Sequence, residues 1–197
     1  MPEKKVITFG DFIEQDIGEI EGHLSLSFHS QTLNMDELWE SSSLSAKFLS
    51  TFWGKFLPVS DPASVPLRKQ IQDEVHYISG ELLGNAVKFS YDPDFLIEIC
   101  LYLHGGELRF YVSNSVRPED LDGFQYFIKR LLSEDPMAYF LEQMEKSAAE
   151  DSTESGVGFL TLINDYGVKL SWKFEEKISG VNIVTTLARV PVVLCRK

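Results

Sequence analysis

Between Pro66 and Asp92, apolar side chains recur at Ile71, Val75, Ile78, Leu82 and Phe89, in steps of four, three, four and seven. This period marks one narrow stripe of an α-helix and predicts a helix from about Leu67 to Ser90 with one face in a core. The slot left in the series holds Asn85, with Glu81 and Lys88 just beyond it on the same flank. Glu81 and Asn85 are one turn apart, so a carboxylate and a carboxamide can reach a single site. An unpaired buried amide costs about 1–3 kcal/mol, so Asn85 needs a partner. Two are open to it: a neighbouring backbone group, with Glu81 and Lys88 as solvated flank charges, or a bound ligand or metal.

The residues after this helix limit the fold class. Asp92-Pro93 ends it, and Phe95 to Leu103 with Leu108 to Val112 read as a β-hairpin turning at Gly105-Gly106. Pro118 opens a helix bearing Phe124, Phe127, Ile128, Leu131 and Leu132, and a second helix is expected from Pro136 to Lys146. The small, acidic stretch 147–155 is expected to be a mobile segment, followed by a glycine turn, a short helix and a closing strand pair over Val168–Phe174 and Val181–Val190. Upstream, Val6–Phe9 and Leu24–Phe28 suggest an early strand pair. Asn34 and Asp36 offer caps for a helix to about Leu57, with an interruption expected at serines 41–43. Pro58 to Pro66 reads as a loop between helices. Consecutive strands with segregated helices define an α+β class, a two-layer α/β sandwich with helices on one face of a mainly antiparallel mixed sheet.

Composition removes several function classes. A formal net charge of −12 repels phosphate backbones and anionic lipid, so nucleic acid and membrane partners are not expected. The two cysteines, Cys100 and Cys195, cannot form a zinc-ligand set, and His23, His29, His76 and His104 have no metal spacing. No apolar run approaches the length of a membrane-spanning helix and no secretory signal is visible, so a cytoplasmic protein is expected.

Glu81-Leu-Leu-Gly-Asn85-Ala-Val-Lys88-Phe-Ser resembles the N-box of the GHKL ATPase superfamily, which includes gyrase, histidine kinases and MutL. Its opening glutamate is similar to that of the anti-sigma-factor serine kinase branch, and within it to the SiaB-type kinases and their cyanobacterial relatives. The order of elements over residues 67–190 extends the resemblance. It implies a Bergerat-type ATP-binding fold in one domain, 1–197, with 1–66 as a strand/helix extension packed on it and 117–155 as a helical lid-like insertion. It further implies that Asn85 ligates Mg²⁺ bridging the ATP phosphates, that Glu81 is general base toward the attacking hydroxyl, and that Lys88 adds positive charge. Gly156-Val-Gly158 resembles the second glycine box, where backbone amides meet phosphates.

The first glycine box departs from the family's pattern. Where an aspartate and two glycines are usual, the chain reads Tyr111-Val-Ser-Asn114-Ser-Val-Arg117. Asn114 can still accept from an adenine amine, yet its NH₂ can instead face a ring carbonyl, which admits a flavin nucleotide. The resemblance therefore implies a serine/threonine protein kinase that binds ATP/ADP with Mg²⁺ and acts on a STAS-domain partner, and it admits a homodimer. The alternative is a catalytically degenerate nucleotide- or flavin-binding module that acts by sequestering its partner. A histidine autokinase is disfavoured because His23 and His29 fall in strand or loop rather than on a dimerisation helix.

Overall fold

The computed structural model describes residues 6–15, 22–29, 35–56, 64–150, 157–177 and 180–191. Six strands form one sheet in the order β1-β5-β6-β4-β3-β2. They are β1 (Val6–Phe9), β2 (Gly22–His29), β3 (Leu96–His104), β4 (Glu107–Val116), β5 (Lys169–Glu176) and β6 (Asn182–Pro191). All five pairings are antiparallel, so the expected mixed sheet is in fact uniform in sense. The tight β3–β4 hairpin turns through Gly105 and Gly106 at φ 59° and 77°, conformations that favour glycine at both central positions. β1 and β2 are strands but do not pair with each other. They cap opposite edges, β1 on β5 and β2 on β3. Alternation fixed which side chains each strand buries, and carried no information about its neighbour.

Alternate residues of every strand face the helical layer. Ile97, Ile99, Leu101 and Leu103 of β3, Leu108, Phe110 and Val112 of β4, and Leu170, Trp172 and Phe174 of β5 join one core with the helices. The other face carries a smaller cluster of Cys100, Tyr102, Tyr111 and Leu187, against which Phe12 and Ile13 pack. There the segment after β1 is tied down by the Tyr111 hydroxyl donating to the Ile13 carbonyl at 3.0 Å, and by Arg189–Asp11 and Lys173–Glu14 ion pairs at 2.9 and 2.8 Å.

The described helices are α1 (Met35–Phe56), α2 (Ser64–Phe89), α3 (Leu121–Ser133), α4 (Pro136–Glu150) and α5 (Val157–Tyr166), with a 3₁₀ turn at Pro118–Asp120. None of them is long and apolar enough to cross a membrane. α1 is continuous through its serines, because Ser42 Oγ and Ser50 Oγ donate back to the Trp39 and Lys47 carbonyls at 2.9 Å each and so satisfy themselves within the helix. α2 begins inside the segment expected to be loop. Pro66 sits in its first turn, where no intrahelical N–H bond is lost. α4 also runs past Lys146 to Glu150, into the stretch expected to be mobile, since Ala148 and Ala149 are good helix formers.

α1 and α2 lie antiparallel and close. A Cβ on Gly54 would overlap the Gln72 side chain, and one on Gly84 would stand 3.0 Å from the Trp39 ring. Glycine at both ends of the crossing lets the helices approach, while Leu49 and Trp53 of α1 and Ile71, Val75, Ile78 and Leu82 of α2 enter the core. Phe89, the last residue of the predicted stripe, is 41% exposed instead of buried, because α2 ends there.

Candidate functional site

Asn85 is positioned by the α2–β4 junction. Leu82, Asn85, Ala86 and Phe89 of α2 face Val112 and Asn114 of β4, Val184 and Thr186 of β6, Phe124 of α3 and Phe159 of α5 around a small cavity. Ser115 fixes the junction from behind. Its buried Oγ accepts the backbone N–H groups of Tyr91 and Asp92 at 3.1 and 2.9 Å and lies 3.0 Å from Ser90 Oγ. The chain leaving α2 is thereby pinned to β4, which holds Asn85 and Asn114 on one cavity.

Asn114 is 5% exposed, and its side-chain NH₂ donates to the Ser115 carbonyl at 2.9 Å. This bond uses one of the two amine hydrogens and orients the carboxamide, whose oxygen is left as an acceptor. The cavity measures about 20 Å³, room for about one water. Nucleotide-sized sites run to about 300 Å³ and more. A ring ligand therefore requires the aromatic walls Phe89, Phe124 and Phe159 to move apart. Phe124 is braced edge-on against Phe174, with centroids 5.7 Å apart, and Phe159 against Trp172 at 5.6 Å.

One turn before Asn85, Glu81 meets the start of α5. The space a Cβ would take on Gly158 is filled by the Glu81 carboxylate, so the bare glycine is what admits it. Burial pushes the Glu81 carboxyl above its usual range, and a hydrogen bond from Tyr77 opposes that in part. Tyr77 in turn stacks on Tyr166, centroids 4.8 Å apart and 12° between planes, and hydrogen-bonds Thr161. Burial raises the Tyr77 phenol, and the neighbouring carboxylate adds to the effect. α2 and α5 are thus joined through Tyr77, Glu81, Gly158, Thr161 and Tyr166.

The structure therefore brings Glu81 and Gly158 together, and separately Asn85 and Asn114, on successive turns of the same flank of α2. Lys88 is not part of the cavity wall. Its ammonium lies 5.1 Å from the centroid of the Phe89 ring. Gly156 lies outside the described residues. Among the described residues no group of three or more His, Cys, Asp and Glu could hold a metal ion. Tyr77, Thr161, Ser115, Phe124 and Phe159 were not anticipated from sequence. Tyr77 alone carried a signal, one turn before Glu81 on the same face.

The class of protein is an α+β two-layer sandwich with a polar seam between its longest described helix, a central antiparallel strand and the first turn of a short helix. No family model and no curated protein matches the chain. Among solved structures the chain is similar to one in the crystal structure of the SiaB–SiaC complex from Pseudomonas aeruginosa. The TM-score is 0.53 with 14% sequence identity, over 84% of this chain and 89% of that one. At that identity the likeness speaks to the fold.

Proposed function

We propose that this chain is a GHKL-fold regulator that binds Mg-ATP at the α2–β4–α5 seam and phosphorylates a serine or threonine of a STAS-domain partner. The observation that carries the reading is Glu81, held by Tyr77 against Gly158 where α5 begins. Helix starts offer backbone N–H groups to phosphates, and a carboxylate there is placed beside a transferring γ-phosphoryl. A carboxyl raised by burial is a better base near neutral pH than an ordinary glutamate. Glu81 would take the proton from the attacking hydroxyl as the new P–O bond forms and the bond to ADP breaks.

The donor set also fits a magnesium ion that arrives with its nucleotide. Asn85, on the cavity wall, would supply one neutral oxygen, with phosphates and waters as the remaining ligands. The ion would neutralise phosphate charge. Asn114, its amine tied to Ser115, offers an acceptor suited to an adenine amine. A protein partner accords with the similar fold having been crystallised as a complex of two proteins.

The test is labelling of a co-encoded STAS-domain protein from γ-labelled ATP. Transfer is expected from the wild type and not from Glu81→Gln or Asn85→Ala. Unchanged transfer in both variants would falsify the assignment. The departure at the first glycine box, with Asn114 in place of an aspartate and no glycine after it, motivates a second reading, a nucleotide- or flavin-responsive module that sequesters its partner without chemistry. Stable partner capture without label transfer, or flavin absorbance in the purified protein, would select it.

A further inference from the structure

The chain leaving β1 crosses the outer face of the sheet as a strap, residues 10–15, with no helix or strand of its own. It turns onto that face at Gly10, whose φ of 70° favours glycine and where a Cβ would stand 3.0 Å from the Leu170 carbonyl oxygen. Among the described residues no hydrogen bond between main-chain groups ties 11–15 to the sheet. Side chains hold it instead. The Tyr111 hydroxyl donates to the Ile13 carbonyl at 3.0 Å, and the Phe12 ring stands edge-on to Tyr111 with the Lys173 ammonium 5.5 Å from its centroid. An ion pair closes the strap on either side, Arg189 with Asp11 at 2.9 Å and Lys173 with Glu14 at 2.8 Å. In both, the base belongs to the sheet and is mostly buried, while the acid belongs to the strap and is mostly exposed.

The two pairs are not equivalent. Arg189 has Arg109 directly opposite on β4 and Lys169 directly opposite on β5, and like charges in such positions repel. Glu107 answers Arg109 at 2.8 Å, and Asp11 is the acid that answers Arg189. Lys173, by contrast, keeps Glu175 at 3.2 Å when Glu14 leaves. We propose that residues 10–15 open as a unit about Gly10, that Asp11 is the latch, and that ionic strength sets how often the strap lifts. Lifting uncovers Cys100, Tyr102, Tyr111 and Leu187, the buried cluster against which Phe12 and Ile13 pack. Salt acts on the latch because charges at the surface are screened beyond about 10 Å at 0.1 M, and far more closely at higher salt. The strap lies on the face of the sheet away from the cavity, so its opening is independent of the nucleotide reading.

Cys100 reports the opening. It is 4% exposed, and its thiol donates to Ser25 Oγ at 3.3 Å. In the full chain carrying Cys195→Ser it is the one cysteine left, and N-ethylmaleimide, being uncharged, reads its exposure with little salt effect of its own. Raising NaCl from about 0.05 to about 0.5 M is expected to speed alkylation about tenfold. At the lower salt Asp11→Asn is expected to speed it about fivefold and Glu14→Gln about twofold, and the salt response of Asp11→Asn should shrink to about twofold. Both substitutions fall on exposed side chains, so the variants keep the core. A second readout does not depend on Cys100: cleavage after Glu14 by a glutamyl endopeptidase, followed by mass spectrometry at the lower salt, should also quicken about fivefold in Asp11→Asn. Urea unfolding of the same proteins separates opening of the strap from unfolding of the whole chain. Alkylation and cleavage no faster in Asp11→Asn, an undiminished salt response in that variant, or rates that merely follow global stability would overturn the proposal.

Discussion

Replacing Gly158 with alanine places a methyl group where the Glu81 carboxylate now stands. The substitution has two opposed effects on stability. Alanine in a helix is favoured over glycine by about 1 kcal/mol, less in a first turn. Against this, the carboxylate must swing away and lose its hydrogen bond from Tyr77, and bonds to charged groups are worth about 1.5–3 kcal/mol, the low end applying to a half-buried group. The net expectation is a loss of about 1 kcal/mol in the otherwise native chain. With Glu81→Ala already present the methyl group meets no carboxylate, and the same change should stabilise by about 0.5–1 kcal/mol. The coupling energy is then about 1.5–2 kcal/mol. Urea unfolding of the four proteins at pH 7 measures it, provided the slopes agree. Additivity within about 0.5 kcal/mol would refute the contact between Glu81 and Gly158, and with it the physical basis for placing a base at the start of α5.

Glu81→Gln should raise the melting temperature at neutral pH while removing phosphoryl transfer. Because burial raises the Glu81 carboxyl, the folded state holds that proton more tightly than the unfolded one. Its contribution is full below the usual carboxylate pKa of 4.5 and fades as pH rises through the higher folded value. The advantage of the variant should therefore vanish toward pH 4, and a pH-independent difference would contradict the cause assigned. Leu83→Ala, at a side chain with no exposed surface, should cost about 2–5 kcal/mol in urea unfolding. Phe124→Ala, losing a half-buried ring braced on Phe174, should cost about 2 kcal/mol yet tighten nucleotide binding by opening the cavity wall, with weaker binding by calorimetry the opposing result.

How much of this was legible in the sequence depends on how local the information is. Glu81 and Asn85 could be placed on one flank of α2 because helical geometry alone relates residues one turn apart. Gly158 could be suspected as a site of close approach, but not what approaches it, since the Glu81 contact joins residues on two separate helices. Phe124 read as one of the apolar side chains along a helix face, and only the assembled layers bring its ring, with that of Phe159, around Asn85 and Asn114. The edges of the sheet were hidden for the same reason. Val6–Phe9 reads as a strand, but its pairing with β5 spans most of the chain. Phe89 misled in the other direction, being in phase with a buried stripe that ends just before the core does. The serines at 41–43 suggested a break in α1 where the helix continues.

The central claim is that Asn85 and its neighbours form a nucleotide site, and a thermal-shift titration tests it most directly. ATP, ADP and flavin nucleotides are added with and without Mg²⁺ to the wild type and to Asn85→Ala. A ligand at about 100 times its Kd stabilises by about 2.7 kcal/mol, or about 5–10 °C for a chain of this size. The account predicts a shift of that order with Mg-ATP in the wild type that collapses in Asn85→Ala. A shift of equal size in both proteins, or none with any nucleotide, would contradict it.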